Sequence, residues 1–284
     1  LSTTSSRQQY IHFISHRVHI ITATLPFLIR REKGTVMIQK YGWLLPCVLF
    51  TTPLLAAESH EIPAKTQKRY QQEIIQAITA LADAPRKEWA VEISHYENEE
   101  GDITSSIERF APNEDYNKQW TLLRINDKTP TKKQHEKFAK QKQEHAAKKA
   151  KGTSYSIDFK SLIKQDSLEL INESDDYTQV GFRVHMADLG DDAEGKLEGT
   201  LSYSKEHKFI EEITIVNNAE FSPLFSASIK DFNLSFNFIK LNETVLPQQI
   251  DMRMKGSFAF FTEIDEMSTT TYAKYQHLGT QLSN

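Results

Sequence analysis

Phenylalanine is the residue type whose clustering suggests a function in this chain. Nine of the 16 phenylalanines lie within the 53 residues from Phe209 to Phe261. Several alternate with polar residues, which places them on one side of neighbouring β-strands. Such side chains line the hollow of a curved sheet, where they either form a filled core or contact an apolar ligand. Both explanations stay open. The candidate lipid-binding residues are Phe232, Phe236, Phe238, Phe258 and Phe260.

One glycine-rich segment comes close to a phosphate-binding loop without completing it. Residues Gly190 to Leu197 differ by one residue from the pattern G-x-x-x-x-G-K-[ST]. Leu197 cannot ligate magnesium, and the three acids of the segment would repel phosphate. We therefore predict a hairpin turn. The acids from Asp188 to Glu194 also fail as an EF-hand, because Ala193 occupies the position of the turn glycine, and at most a weak, exposed cation site remains.

The side chains that usually carry catalysis form no recognisable set. His135 begins a zinc-protease pattern, but Ala139 replaces its second histidine. The single cysteine, Cys47, cannot build a thiolate site, and no G-x-S-x-G motif is present. His95 and His185 fall within strand patterns, where we expect partly exposed sheet residues rather than ligands. We therefore expect no metal, no cofactor and no enzymatic activity, and an unrecognised hydrolase is the least supported alternative.

Residues 37–57 have the organisation of a secretory signal peptide. Lys40 precedes an apolar run of 16 residues that ends in small residues at Ala57. A membrane-spanning helix needs roughly 20 residues, so we expect cleavage near Ala57 and not an integral membrane protein. Acylation of Cys47 is disfavoured because Pro46 precedes it and the apolar run continues beyond it. The predicted location is the periplasm.

Residues 1–36 are interpreted as translated upstream sequence rather than part of the natural protein. The codons of Arg31 to Gly34 can form a purine-rich ribosome-binding site just before Met37. Removing residues 1–57 takes away six basic residues and one acid, so the formal charge of −4 becomes about −9. Nucleic-acid binding depends on clustered Lys and Arg, and we therefore expect no nucleic-acid partner.

The remaining residues, 58–284, are predicted to form a single domain. Apolar residues recur at helical spacing from Arg69 to Ala84, and Pro85 ends this helix. From Trp89 the period changes to two, and Gly101 marks the turn of a hairpin. A third strand spans 120–125, and further alternation after residue 180 gives eight to ten strands in all. The fold class is α+β, with a mainly antiparallel, strongly curved sheet (a half-barrel), an N-terminal helix and one basic helical insertion.

Two charged segments of opposite sign interrupt the strands. The insertion at 131–151 has helix-forming composition and carries eight lysines against two glutamates. Residues 166–195 carry nine acids against one arginine. The two segments either attract each other or are two solvated faces. The basic helix lacks the interleaved aromatic residues of a nucleic-acid or membrane-binding surface, so we expect it to be solvated.

The signal peptide, N-terminal helix and curved sheet resemble the lipoprotein-carrier superfamily of the Gram-negative periplasm, which includes LolA, LolB and RseB. The segments 107–112, 120–123 and 128–131 are similar to a pattern in secreted proteins of this general sort. The resemblance covers most of residues 69–276, is one of architecture and assigns no functional residue here. It implies a periplasmic protein that binds a lipid or lipoprotein acyl chain in an apolar concavity without catalysis. The alternative is a protein-interaction or sensor module of the cell envelope that has no lipid ligand.

Overall fold

A computed structural model describes residues 64–112, 118–150, 157–224, 226–259 and 262–279. It is an α+β structure in which most described residues belong to strands. The helices are α1 (Ala64–Ala82), α2 (Lys132–Ala150) and the short α3 (Phe159–Leu162). The strands are β1 (Trp89–Glu99), β2 (Asp102–Phe110), β3 (Trp120–Ile125), β4 (Glu169–Glu173), β5 (Tyr177–Arg183), β6 (Leu197–Ser204), β7 (Phe209–Asn217), β8 (Phe221–Leu224), β9 (Ala227–Leu241), β10 (Thr244–Phe258) and β11 (Thr262–His277).

All eleven strands belong to one antiparallel sheet. The strand order is β3-β2-β1-β11-β10-β9-β7-β6-β5-β4, and β8 pairs with the start of β9. Because β3 and β4 each have one neighbour, the sheet in the described part of the chain is open rather than a closed barrel. The mainly antiparallel α+β class predicted from the sequence is confirmed. The basic insertion separates β3 from the rest of the meander.

Helix α1 packs against one face of the sheet, which we call the inner face. Its residues Ile74, Ile78 and Leu81 are completely buried and join the apolar core formed with β7 and β10. The spacing of three and four residues places these side chains on one stripe of the helix. After the helix ends, Pro85 prevents its continuation, and the buried guanidinium of Arg86 donates a hydrogen bond to the Leu81 carbonyl. The predicted N-terminal helix is thereby confirmed.

The strand register decides which other residues share the inner face. Directly opposite residues of paired strands lie on the same face. One such row runs from Ile213 on β7 through Phe236, Ile250 and Thr270 to His95 on β1. The inner face is therefore apolar on β7, β9 and β10, and it becomes polar on β11 and β1.

Three strands were not predicted because they lack a clear apolar alternation. β4 is a short edge strand that is mostly exposed, and β8 has only four residues. β11 is the longest strand, yet Ser, Thr, Glu and Asp occupy half of its positions. Its ladder partners on both sides, β1 and β10, give it the strand conformation that its own composition does not indicate.

The segment from Gly190 to Leu197 is more elaborate than the predicted hairpin turn. It lies in the connection between the paired strands β5 and β6, which contains two short 3₁₀ turns at Ala187–Leu189 and Asp191–Ala193. Gly190 and Gly195 both have positive φ, which glycine adopts without strain. The predicted hairpin is confirmed by the antiparallel pairing of β5 with β6, and its connection is a long loop whose two 3₁₀ turns pack beside β8.

No helix among the described residues is long and apolar enough to span a lipid bilayer.

Candidate functional site

Three of the five proposed lipid-contacting phenylalanines lie deep in the structure. Phe232, Phe236 and Phe238 are buried on the inner face of β9. The ring of Phe159, from α3, makes edge-on contacts with Phe236 and Phe238 at centroid distances of 5.5 and 5.6 Å. Phe258 is partly buried against the same core, whereas Phe260 lies outside the described residues. Aromatic side chains in this arrangement contribute packing and transfer free energy to the fold.

An open groove of about 910 Å³ lies near the turns that join β6 to β7 and β9 to β10. Of the four candidate phenylalanines that the structure describes, only Phe238 is among the residues that line it, together with Phe209. Its other lining residues are largely polar or charged, and Lys240 forms an ion pair with Glu243 at 2.7 Å. The volume suits a small ligand, and the charges suit one with a polar end.

A buried polar network joins helix α2 to the inner face of the sheet. Glu108 on β2 is only 5% exposed. One carboxylate oxygen, Oε1, lies 2.6 Å from His95 Nε2, and the other, Oε2, lies 2.5 Å from Lys142 Nζ. His95 Nδ1 lies 3.1 Å from the Thr270 hydroxyl oxygen on β11. We call His95, Glu108, Lys142 and Thr270 the Glu108 network.

Charge partners hold the buried carboxyl group of the Glu108 network in its ionised form. Burial alone would raise the pKa of Glu108, but the nearby Lys142 ammonium and His95 imidazole more than offset it. The pKa of Glu108 is lowered from 4.5 to about 2. The Lys142 ammonium also lies 3.8 Å from the centre of the Trp120 ring, a cation–π contact that connects α2 to β3.

The Glu108 network superficially resembles a hydroxyl–histidine–carboxylate triad. A nucleophile must be reachable by its substrate, yet Thr270 is 2% exposed. The third member of the arrangement, Glu108, is also neutralised by a lysine ammonium. The geometry therefore ties β1, β2 and β11 to helix α2, and it offers no accessible nucleophile.

Local sequence also determines where α2 begins. Thr131 and Gln134 form a capping box, in which the Thr131 backbone N–H donates to Gln134 Oε1 at 2.7 Å. In return, the Gln134 N–H donates to the Thr131 hydroxyl at 3.4 Å. This reciprocal arrangement satisfies donors that a helix N-terminus otherwise leaves without partners. The predicted basic helix at 131–151 is confirmed as Lys132–Ala150.

The outer surface of α2 carries a concentration of positive charge. Lys132 and Lys140 lie one turn before Glu136 and Glu144, which partly neutralise them at 4.0 and 3.8 Å. A neighbouring row at the same four-residue spacing begins with Lys133 and Lys137, both exposed, and contains no acid. We call Lys133 and Lys137 the lysine stripe.

The acidic segment 166–195 lies at the other end of the strand order from α2. It contains β4 and β5, whereas α2 packs beside β3. Several of its acids have local partners: Asp192 bonds to Lys196 at 2.9 Å, and Glu194 lies 3.0 Å from His185 Nδ1. The hydrogen bonds from Lys196 and the Ser222 backbone N–H lower the pKa of Asp192. Among the described residues, no group of three or more His, Cys, Asp or Glu is arranged to hold a metal ion.

Comparison with known proteins gives a distant structural similarity. No protein-family model and no curated protein matches the chain. The crystal structure of a DUF1329 family protein from Desulfovibrio piger is similar over 76% of this chain and 94% of its own length. Its sequence identity is 7% and its TM-score is 0.30.

Sequence reasoning missed Glu108 and Lys142, and the reason is clear for each. Glu108 lies on the inner face of β2. It is two residues from the apolar Phe110, so the alternation of the strand places both side chains on the same face, and this spacing was the signal for a buried acid. Lys142 is one of eight lysines in its segment, and nothing local distinguishes it from the solvated ones. His95 was predicted to be a partly exposed sheet residue, and its side chain is 15% exposed.

Proposed function

We propose that this protein is a non-enzymatic interaction module of the cell envelope and that it engages an acidic partner through helix α2. The observation that carries the proposal is the lysine stripe, which projects from a helix fixed to the sheet by the buried Glu108–Lys142 ion pair. A positive surface on an acidic protein attracts an oppositely charged partner locally. We also propose that the signal peptide at residues 37–57 directs export of the protein and that the sheet curves into a half-barrel.

Charge reversal on the lysine stripe tests this proposal. We expect Lys133→Glu/Lys137→Glu to weaken binding of a fluorescent poly-glutamate probe about tenfold at 50 mM salt. The control is Lys208→Glu/Lys230→Glu, which changes the net charge equally at two exposed lysines outside α2. Fluorescence anisotropy measures both variants, and binding should fall as salt increases. Equal losses in the two variants would show that net charge, and not α2, attracts the probe.

Lipid or acyl-chain binding is the second candidate function. It is favoured by the groove of about 910 Å³, which includes Phe209 and Phe238 among its lining residues. Burying a chain there would gain about 25 cal/mol per Å² of apolar surface. Native mass spectrometry of protein purified from a bacterial periplasm, before and after organic extraction, separates the candidates. A mass in the lipid range that extraction removes supports a carrier, whereas a chain without added mass supports the interaction module.

A further inference from the structure

The inner face contains a larger polar region that overlaps the Glu108 network at His95 and Thr270. Three successive cross-strand rows on β2, β1 and β11 bring nine polar side chains onto this face. Directly opposite residues define each row, and the three rows together form a three-by-three array that we call the polar grid. Its members are Asp102, Glu99 and Glu266; Thr104, Glu97 and Ser268; and Ser106, His95 and Thr270.

The polar grid becomes more buried from β2 to β11. Asp102 and Thr104 are exposed, Glu97 and Glu99 are partly buried, and Glu266, at the inner end of its row, is 2% exposed. The next strand, β10, continues the same rows with the apolar Met252 and Met254. The grid therefore extends from exposed positions on β2 to an apolar boundary at β10.

Glu266 is the unusual member of the grid. Both of its carboxylate oxygens are buried, and neither has a hydrogen-bond partner among the residues that the structure describes. Burial is the largest cause that raises its pKa, and the nearby Glu99, Glu97 and Glu100 raise it further, to about 8. A buried carboxyl group without partners is costly, so its presence calls for a physical explanation.

The arrangement of charge in the grid adds to that cost. Glu99 lies directly opposite Glu266 on one side and Asp102 on the other, so three acids share one row. Like charges in directly opposite positions destabilise a sheet. The grid contains no lysine or arginine, and its single basic side chain is His95, which already contacts Glu108. A positively charged group beside Glu266 would supply the hydrogen-bond donors that its two buried oxygens lack.

A metal ion is a poor candidate for that group. The described residues bring no three His, Cys, Asp or Glu side chains into a metal-binding arrangement. An organic cation is larger and can bridge several acids with directed N–H donors. The hydroxyl oxygen of Ser268, in the adjacent row, is an additional acceptor.

We propose that the polar grid is a binding site for an amine or guanidinium group, with Glu266 as the carboxylate at its inner end. The ligand is a lysine or arginine side chain of a basic peptide segment or the ammonium group of a free polyamine. The group enters over Asp102 and Glu99 on the exposed side and replaces the missing hydrogen-bond donors of Glu266. This site is separate from the lysine stripe and attracts ligands of the opposite charge.

A matched pair of variants in β11 tests the proposal. Glu266→Gln removes the ionisable carboxyl group at the inner end of the grid, whereas Glu263→Gln removes an exposed charge on the opposite face of the same strand. The probes are a fluorescent tetralysine peptide and spermine, measured with the full chain at 0.1 M salt. We expect Glu266→Gln to weaken probe binding about tenfold or more and Glu263→Gln less than twofold.

Both probes carry the same kind of group, and their relative affinities identify its source. Preferential binding of tetralysine, sensitive to Glu266→Gln, supports a basic protein segment as the natural ligand. Preferential binding of spermine with the same sensitivity supports a free polyamine. Failure of the wild-type chain to bind either probe, or equal binding by the two variants, overturns the proposal. Urea denaturation confirms that Glu266→Gln is folded.

Proton release provides an independent measurement. At pH 7 the unliganded Glu266 carboxyl group is mostly protonated, and a bound cation favours its ionised form. Calorimetric titration in two buffers of different ionisation enthalpy should therefore detect release of close to one proton per bound cationic group. The release should disappear in Glu266→Gln. Binding without proton release in the wild-type chain would place the cation elsewhere.

Discussion

Replacing Glu108 with glutamine tests the role of the buried network that fixes α2. The change keeps the size of the side chain but removes the charge that pairs with Lys142 and His95. A pKa of about 2 in place of 4.5 corresponds to about 3 kcal/mol of folding free energy at pH 7. We expect Glu108→Gln to lose about this amount, which lowers the urea midpoint by about 1 M or more.

The loss should depend on pH with a definite sign. The folded pKa of Glu108 is depressed, so its charge stabilises the protein above pH 4.5, and this contribution disappears as the pH falls toward about 2. Urea unfolding followed by far-UV circular dichroism at pH 7 and at pH 3 measures the difference. Wild type and Glu108→Gln should therefore become more similar in acid.

A second glutamate provides the control for this measurement. Glu136→Gln removes the same charge from an exposed α2 residue whose distance to Lys132 is 4.0 Å, and it should cost less than about 0.5 kcal/mol. The reasoning about the Glu108 network is refuted if Glu108→Gln unfolds at the wild-type urea concentration at pH 7. It is equally refuted if the difference in urea midpoint between wild type and Glu108→Gln is the same at pH 3 as at pH 7.

Three further changes have expected outcomes. The wild type should lose stability as pH rises from 4.5 through about 8, because burial disfavours the charged carboxylate of Glu266. Glu266→Gln should abolish this loss, which urea midpoints at pH 5 and pH 9 measure. Phe236→Ala should cost about 3–5 kcal/mol by calorimetry, since this ring is 0% exposed, whereas Val216→Ala, at a residue 37% exposed, should cost about 0.5 kcal/mol or less. Thr131→Ala should cost about 1 kcal/mol through loss of the α2 cap, and hydrogen exchange in the first turn of α2 should accelerate.

Strong periodic patterns allowed most of the elements to be predicted. The period of α1 and the alternation in β1, β2, β3 and β9 arise from residues that each face either the core or water. β11 was missed because polar side chains occupy its inner-face positions, among them Glu266, Ser268 and Thr270. A strand with polar residues on both faces has no alternation to detect, and only its pairing with β1 and β10 specifies it.

The candidate sites were also predictable only in part from the sequence. The sequence identified the phenylalanines of β9 and the lysines of α2 as unusual, but it left open what they contact. Phe159 and α1 decide that Phe236 is in the core, because they occupy the same inner face. The partnership of Glu108 with Lys142 joins residues on two different elements, so no local pattern reports it.

Local sequence is sufficient to specify the alternation of apolar and polar residues in the later strands and the basic helix that Thr131 and Gln134 cap. These are local properties, since helix capping and alternation depend on residues close together in the chain. Strand pairing and packing bring three acids into one row of the inner face and bury Glu266 without a hydrogen-bond partner among the described residues. Burial and cross-strand distance arise from strand register, which joins residues far apart in the sequence.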